Sequence, residues 1–196
     1  MLINNKFFYV HIPRTGGRYI TFLFKNNKYK CKFFQFNNYL QDPLKKLIEI
    51  PHLEYPYYEP LYNFKNVHKF TVVRDPLDRF ISMLSCLNLK ENEINTIFKN
   101  YDNFNEFVNI KITNNKSNWF VPQVKFIGYE TKIWKFEDGL DQNFEKWLKN
   151  MYSFNFKNHK FEYHRLDYDH NTKIVLNKKQ KSYIKKYYYQ DYKILY

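Results

Sequence analysis

Arginine is scarce in this chain and is concentrated in two short segments. Arg14 and Arg18 flank two adjacent glycines in HIPRTGGRYI, and Arg74 and Arg79 lie in VVRDPLDRFIS, so these segments hold four of the five arginines. Lysine is the abundant cation here, and arginine offers a planar pair of donors that lysine lacks. Because that fork matches phosphate and carboxylate groups, the two segments are the first candidates for an anion-binding site.

The first segment has the layout of a strand, a glycine turn and a helix. The apolar run at residues 7–12 is followed by Gly16 and Gly17, and residues 19–25 continue as a helix. Such a turn directs free backbone N–H groups and the positive end of the helix dipole at one point, which favours phosphate. Glycine lets the backbone approach the anion closely. The spacing matches neither a Walker A loop nor G-x-G-x-x-G, and an ordinary turn is the alternative interpretation.

The second segment also joins a strand end to a helix start. Arg74 follows the apolar run at residues 69–73, and Pro76 suits the first turn of a helix. Arg79 and Ser82 are three residues apart, so a helix places them on one face. In the alternative interpretation, Arg74 or Arg79 pairs with one of the neighbouring aspartates.

Together the two segments resemble the PAPS-dependent sulfotransferases, and specifically the carbohydrate branch with HIPKTGG-type loops. The second segment matches RDP-x-x-R-x-x-S in order and spacing, about 60 residues after the first. A weaker likeness extends to PQVKF at residues 122–126, KFEDGL at residues 135–140 and YQDYKILY at residues 189–196. The resemblance implies a P-loop-like sulfotransferase fold and transfer of a sulfonate group from 3′-phosphoadenosine 5′-phosphosulfate (PAPS) to a hydroxyl, with carbohydrates as the expected acceptors.

The resemblance also implies roles for individual residues. Arg74 and Ser82 hold the 3′-phosphate, and Arg14 takes the place of the family's loop lysine at the bridging oxygen and 5′-phosphate. The remaining cofactor-binding residues belong to the first loop: Thr15, Gly16, Gly17, Arg18 and Tyr19. The family has Thr or Ser where this chain has Arg18 and Tyr19. Since arginine keeps its proton, Arg14 is expected to stabilise leaving-group charge as a catalytic residue and not to act as a general acid.

A base must take the proton of the acceptor hydroxyl, and histidine titrates in the suitable range. His52 is the predicted catalytic base, because related carbohydrate sulfotransferases carry a "GH" histidine there; Pro51 replaces that glycine. A loop or core histidine is the alternative interpretation of His52. Glu54 and Glu59 are the alternative bases, and His11 and His68 are expected to be structural.

The acceptor side is expected to use aromatic side chains, which stack on sugar rings. The candidates are Tyr55, Tyr57, Tyr58 and Trp119, with Gln123 and Lys125 as possible contacts to substrate or cofactor. Core packing is the alternative role of each aromatic residue. Sulfonate carries less charge than a phosphoryl group, so side-chain cations are expected to suffice and no metal is predicted.

These residues need a scaffold in which strands alternate with helices, and the hydrophobic pattern supplies one. It predicts strands at residues 7–12, 69–73 and 132–136, and a further strand at 29–36. Helices are predicted at residues 19–25, 77–87, 91–112 (in one or two pieces), 140–151 and 177–189. Residues 42–49 are expected to form a short helix or loop, and residues 159–170 to be irregular. The predicted fold class is α/β, a single domain over residues 1–196 with a central, mainly parallel sheet flanked by helices.

The formal net charge of +13 indicates an affinity for polyanions or nucleotides. The chain contains no alanine and much Asn, Lys and Ile, so the amino-acid drift of an AT-rich microbial or viral genome is the alternative source of the charge. A kinase and a basic nucleic-acid-binding protein remain alternative functions. Cys31 and Cys86 are expected to be free thiols, and no signal peptide or membrane span is predicted, so the protein is expected to be soluble and cytoplasmic.

Overall fold

A five-stranded mixed sheet organises the fold in this computed structural model, which describes residues 1–33, 39–41, 47–61, 64, 66–114, 118–157 and 174–196. Its strands, named in chain order, are β1 (Leu2–Ile3), β2 (Phe7–Val10), β3 (Cys31–Lys32), β6 (His68–Val73) and β7 (Lys132–Lys135). Their spatial order is β3-β1-β2-β6-β7, with β2, β6 and β7 parallel. Strands β4 (Tyr39–Gln41) and β5 (Leu47–Glu49) form a separate antiparallel pair.

The expectation of a mainly parallel sheet is correct for its centre and wrong for one edge. Strand β1 pairs antiparallel with both β2 and β3. Only a short turn separates β1 from β2, and a parallel connection needs a long crossover. The central strand β6 is buried from Lys69 to Val73, as a parallel strand covered on both faces should be. Thr71 also ties it to β2 by donating from its hydroxyl to the Val10 carbonyl at 2.8 Å.

Eight helices lie in the described part of the chain, and they cover both faces of the sheet. They are α1 (Gly17–Asn26), α2 (Tyr55–Tyr58), α3 (Pro76–Ser85), α4 (Glu91–Ile97), α5 (Tyr101–Asn114), α6 (Gln142–Tyr152), α7 (Lys178–Tyr187) and α8 (Tyr189–Leu195). Single 3-10 turns occur at Ile50–His52, Glu59–Leu61, Gln123–Lys125 and Phe136–Asp138. The architecture is therefore α/β. No helix among the described residues is long and apolar enough to cross a membrane.

Three apolar clusters form the core. Successive side chains of a strand face opposite sides, so Tyr9 packs in the cluster of α1 and α6 while Phe8 and Val10 pack in another cluster on the opposite face. The third cluster surrounds Phe80 and joins α3 to α4, α5 and α7. Burying each large apolar side chain stabilises the fold by roughly 1.5–3 kcal/mol. The cluster that contains Val10 and Val73 therefore holds the ends of β2 and β6 in place.

Two segments differ from their sequence-based predictions. Residues 42–49 were expected to form a helix or loop, yet Leu47–Glu49 is a strand that pairs with Tyr39–Gln41. Of the strand expected at residues 29–36, the described residues contain Cys31–Lys32, which pairs with β1; residues 34–36 lie outside the described part. The segment at residues 159–170 lies outside the described residues, as do residues 34–38 and 42–46.

Candidate functional site

The two arginine-containing segments lie side by side in the fold. Strands β2 and β6 are parallel neighbours, so the loop after β2 and the start of α3 emerge at the same edge of the sheet. Arg14 crosses from this loop to α3, where its Nε and Nη2 donate to the Ser82 hydroxyl at 3.2 Å and 3.0 Å. Residues 68 positions apart in sequence thus form one polar corner.

Gly16 and Gly17 are each required at their positions, for different structural reasons. Gly16 adopts φ +89°, a conformation that disfavours other residues, and an added Cβ would collide with Leu140. Gly17 lies against the His11 imidazole, which would clash with any Cβ at that position. Arg14 also has a positive φ, 69°, which is uncommon for a residue with a side chain. The loop is therefore held in a defined, close-packed shape.

The N-terminus of α1 carries no side-chain cap from the described residues and has no acidic residue in its first turn. By contrast, Asp75, Asp141 and Asn177 cap the N-termini of α3, α6 and α7. The first N–H groups of a helix lack partners within the helix and attract anions. At α1 these N–H groups lie beside Arg14. The start of α1 is therefore better suited to bind an anion than the start of α3, which Asp75 caps.

Arg74 is half-buried and holds its guanidinium carbon 4.7 Å from the centre of the Phe136 ring. Its Nε is buried without a hydrogen-bond partner, and no described carboxylate lies within ion-pair distance of its guanidinium. Asp75 instead accepts from the backbone N–H groups of Leu77 and Asp78 at the start of α3. Pairing of Arg74 with Asp75, the alternative interpretation of its motif, is therefore wrong. Burial lowers the pKa of Arg74, while the charges of Asp78 and Glu137 oppose this effect from beyond ion-pair distance and the Arg14 charge adds to it.

Arg79 is a structural residue. Its side chain is fully buried and donates to three backbone carbonyls, those of Pro13 at 3.0 Å, Val121 at 3.0 Å and Trp119 at 2.7 Å. It therefore fixes the start of the loop against residues 119–121. A sequence signal for this role exists, since Arg79 falls on the apolar stripe of α3 with Pro76, Phe80, Met83 and Leu84.

The three segments with a weaker likeness to the sulfotransferases, at residues 122–126, 135–140 and 189–196, all pack around Arg74. The Gln123 side chain clamps the Arg74 backbone, donating to its carbonyl at 2.8 Å and accepting from its N–H at 2.9 Å. Asp191 accepts from the Gln123 and Val124 N–H groups at 2.9 Å and 3.0 Å. Gln123, predicted as a substrate contact, is thus buried and supports Arg74 structurally, whereas Lys125 is exposed.

The turn at Phe136–Asp138 lies beside both the glycine loop and Arg74. Phe136 lies under Arg74 and, with Leu140, against Gly16. Glu137 accepts from the Asp75 N–H at 2.6 Å and from the Tyr196 hydroxyl at 2.9 Å. The sequence analysis did not assign Phe136 or Glu137 a role, because their partners are distant in the chain.

His52 is buried beneath the loop. Its Nδ1 lies 2.9 Å from a Glu49 carboxylate oxygen, and its ring packs edge-on against His11 at 4.6 Å between centroids. His11 in turn contacts Gly17, so His52 reaches the loop through a second imidazole. Burial lowers the pKa of His52 and lowers that of His11 well below its usual value. Both rings are therefore neutral near pH 7. Glu49 was missed by the sequence analysis, although Glu-x-x-His on a turn was a usable signal.

The remaining candidates divide between the site and the scaffold. The Trp119 ring lies 5.5 Å from the Arg14 guanidinium, and Asn118 beside it donates to Glu54 at 3.3 Å and to the His52 carbonyl at 3.2 Å. Glu59 instead faces the buried Lys69 at 3.6 Å, a scaffold contact. Tyr58 is buried and donates to the Phe126 carbonyl at 2.9 Å.

Two loop residues expected to contact the cofactor have side chains directed elsewhere. The Thr15 hydroxyl is buried and donates to the Ile12 carbonyl at 2.8 Å, so only its backbone can serve an anion. The Tyr19 hydroxyl lies 3.5 Å from Glu145 of α6, and burial raises its pKa to about 12. Arg18 is half-buried in the first turn of α1, beside His11.

No protein-family model, curated protein or solved structure matches this chain. The described residues also contain no group of three or more His, Cys, Asp or Glu side chains that could hold a metal ion. The candidate site consequently rests on its own geometry. Within the described part of the chain, the start of α1 has no side-chain cap, the Arg74 Nε has no hydrogen-bond partner, and Arg14 donates to Ser82.

Proposed function

We propose that this protein is a PAPS-dependent sulfotransferase with a P-loop-like sulfotransferase fold, which transfers a sulfonate group to a hydroxyl of a carbohydrate acceptor. The observation that carries the proposal is the contact between Arg14 and Ser82, which joins the two motifs of the resemblance in one corner. A doubly phosphorylated nucleotide needs two neighbouring anion-binding groups, one for each end.

The parts of the corner fit the two ends of the donor. The N-terminus of α1, with Gly16, Gly17 and Arg18, offers backbone donors and positive charge to the 5′-phosphosulfate. Arg74 and Ser82 offer a guanidinium and a hydroxyl to the 3′-phosphate. The buried Nε of Arg74, which has no hydrogen-bond partner among the described residues, supports this assignment, because a phosphate oxygen could accept from it.

The chemistry requires an acceptor oxygen to attack sulfur while the bond from sulfur to the 5′-phosphate oxygen breaks and 3′,5′-ADP leaves. Positioning and charge stabilisation supply most of the rate in such displacements. His52 is the proposed base, since the Glu49 carboxylate accepts from its Nδ1 and so leaves Nε2 as the proton acceptor. Trp119, beside Arg14, is the proposed aromatic contact to the acceptor.

The test is a pair of measurements on the full chain. In a thermal-shift titration, 3′,5′-ADP should stabilise the protein far more than ATP with Mg²⁺, by about 2.7 kcal/mol at a hundredfold excess over its Kd. Radiolabelled PAPS should then transfer its sulfonate to members of a glycan panel.

The competing functions predict different outcomes in the same experiment. Preferential stabilisation by ATP with Mg²⁺ would support a kinase. Steeply salt-dependent binding to duplex DNA, without a response to 3′,5′-ADP, would support a nucleic-acid-binding protein. Either result contradicts the sulfotransferase proposal.

A further inference from the structure

The Arg14 side chain points toward α3 and away from α1, the helix that follows its own loop. Its Nε and Nη2 both donate to Ser82 of α3, and the Trp119 ring lies 5.5 Å from its guanidinium carbon. The half-buried side chain therefore leaves the loop that carries it and ends beside the residue assigned to the 3′-phosphate. Its backbone, at φ 69°, belongs to the same bend of the loop.

The edge that Arg14 presents is the one that binds phosphate best. The Nε and Nη2 groups are parallel donors, and their spacing matches two oxygens of a phosphate. Both now share a single hydroxyl oxygen. An anion that accepts a hydrogen bond from Ser82 would lie within reach of this edge, and its two oxygens would replace one poorly matched acceptor.

A second arginine borders the same position. The charge of Arg14 lowers the pKa of Arg74, so the two guanidinium groups interact across the corner. Asp78 and Glu137 act on Arg74 only from beyond ion-pair distance, and its buried Nε has no hydrogen-bond partner. Two adjacent cations of this kind are stabilised by one shared anion.

We infer that Arg14 is a ligand of the 3′-phosphate and makes the protein select nucleotides that carry one over nucleoside 5′-monophosphates. The inference rests on the proposed function and deepens it. It differs from the role that the resemblance implies for Arg14, which is a contact to the bridging oxygen and 5′-phosphate. The 5′ end is left to the α1 N-terminus and Arg18.

The experiment measures dissociation constants for 3′,5′-ADP and 5′-AMP by isothermal titration with the full chain. Arg14→Ala should weaken 3′,5′-ADP binding by about tenfold to a hundredfold, the usual effect of losing a charged hydrogen bond. The affinity for 5′-AMP should change by less than about threefold. Arg14→Lys should fall between the wild type and Arg14→Ala, because it keeps the charge and loses the fork.

Two further variants test the geometry. Arg14→Ala combined with Ser82→Ala should weaken 3′,5′-ADP binding by less than the product of the single effects, because both side chains contact the same phosphate. Lys146→Ala, which removes an exposed charge from α6, is the matched control and should change neither affinity. Melting temperatures check that each variant is folded, and Arg14→Lys preserves the side-chain bulk if Arg14→Ala is unstable.

The outcomes separate this inference from the proposed function. If Arg14→Ala and Arg14→Lys weaken both nucleotides by the same factor, Arg14 acts at the 5′ end and the inference is wrong, while the proposed function stands. Equal affinity of the wild type for the two nucleotides would also overturn it. If the wild type binds neither nucleotide, the proposed function fails and the inference fails with it.

Discussion

Arg74 stacks on Phe136 at 4.7 Å, yet its buried Nε donates to no described group. An arginine that only stabilised the fold would use its donors, as Arg79 of the following helix does. Under the proposed function, a phosphate of the nucleotide supplies the acceptor that the Arg74 Nε lacks. The contrast between the two arginines leads to a pair of opposite predictions.

Arg74→Met should separate binding from stability. Methionine retains contact with the Phe136 ring and removes a half-buried charge without an anionic partner, so the free energy of unfolding should stay the same or rise. The rate of sulfonate transfer should fall by about 10²–10³, the usual cost of one charge-stabilising donor. Urea denaturation and transfer from labelled PAPS measure the two effects. Full transfer activity in a folded Arg74→Met protein would remove Arg74 from the site.

Arg79→Met should have the opposite balance. The substitution leaves the carbonyls of Pro13, Trp119 and Val121 without their donor, and each unsatisfied buried group costs about 1–3 kcal/mol. We therefore expect the free energy of unfolding to fall by at least about 3 kcal/mol. Urea denaturation of the two methionine variants compares the same substitution five positions apart. Equal stability of both would contradict the structural role of Arg79.

The Gly17–His11 contact provides a prediction that can be reversed by a second mutation. Gly17→Ala places a methyl group against the His11 ring, and such overpacking typically costs about 1–3 kcal/mol. Because the loop must shift, 3′,5′-ADP affinity should fall as well. His11→Ala creates space beside Gly17, so the double variant should regain part of the affinity lost in Gly17→Ala. If the double variant binds no better than Gly17→Ala, the contact does not control the loop.

Local signals in the sequence were sufficient to predict the two strand-to-helix segments that carry Arg14 and Arg74. Apolar runs predicted β2, β6 and β7, and Pro76 marks the start of α3 where the structure has it. Parallel pairing then brings the ends of neighbouring strands to one edge whatever lies between them. The proximity of Arg14 and Ser82 follows from that topology.

The supporting contacts were not predictable, because they join residues that are far apart in the chain. Asp191 and Gln123 are 68 positions apart, and Glu137 and Asp75 are 62 positions apart. No periodicity encodes such a pair, and each depends on how α8 and the turn after β7 pack. The different roles of Arg74 and Arg79 also depend on tertiary packing, which determines how deeply each side chain is buried and which acceptors it reaches.

Stability should fall as the pH is lowered below about 6.5, the ordinary pKa of histidine. Burial lowers the pKa values of His11 and His52 in the folded state, so between the folded and unfolded pKa values the unfolded chain binds more protons. The histidine contribution is therefore complete above pH 6.5 and is lost on acidification, at up to about 1.4 kcal/mol per pH unit for each ring. Urea denaturation between pH 7.5 and pH 5.5 measures the slope, which should be smaller in His11→Phe. An identical slope in that variant would contradict the prediction.

The last prediction concerns the proposed base. His52→Gln removes the proton acceptor but keeps a polar side chain beside Glu49, so the transfer rate should fall by about 10²–10⁴. The affinity for 3′,5′-ADP should change by less than about threefold, because the contact of His52 with the loop passes through His11, which packs against Gly17. Glu49→Gln should keep His52 in place and lower its pKa further, since the Glu49 carboxylate raises the pKa against the effect of burial.

The pH profile distinguishes a base from a packing residue. Below the pKa of His52 the ring is protonated and cannot accept the proton of the acceptor, so kcat should decline on the acid side in the wild type. That decline should move to lower pH in Glu49→Gln, as a weaker base loses its proton more readily. Glu54→Gln is the matched comparison, because Glu54 shares Asn118 with the His52 segment. If His52→Gln keeps full activity while Glu54→Gln loses it, Glu54 is the base and His52 only supports the loop.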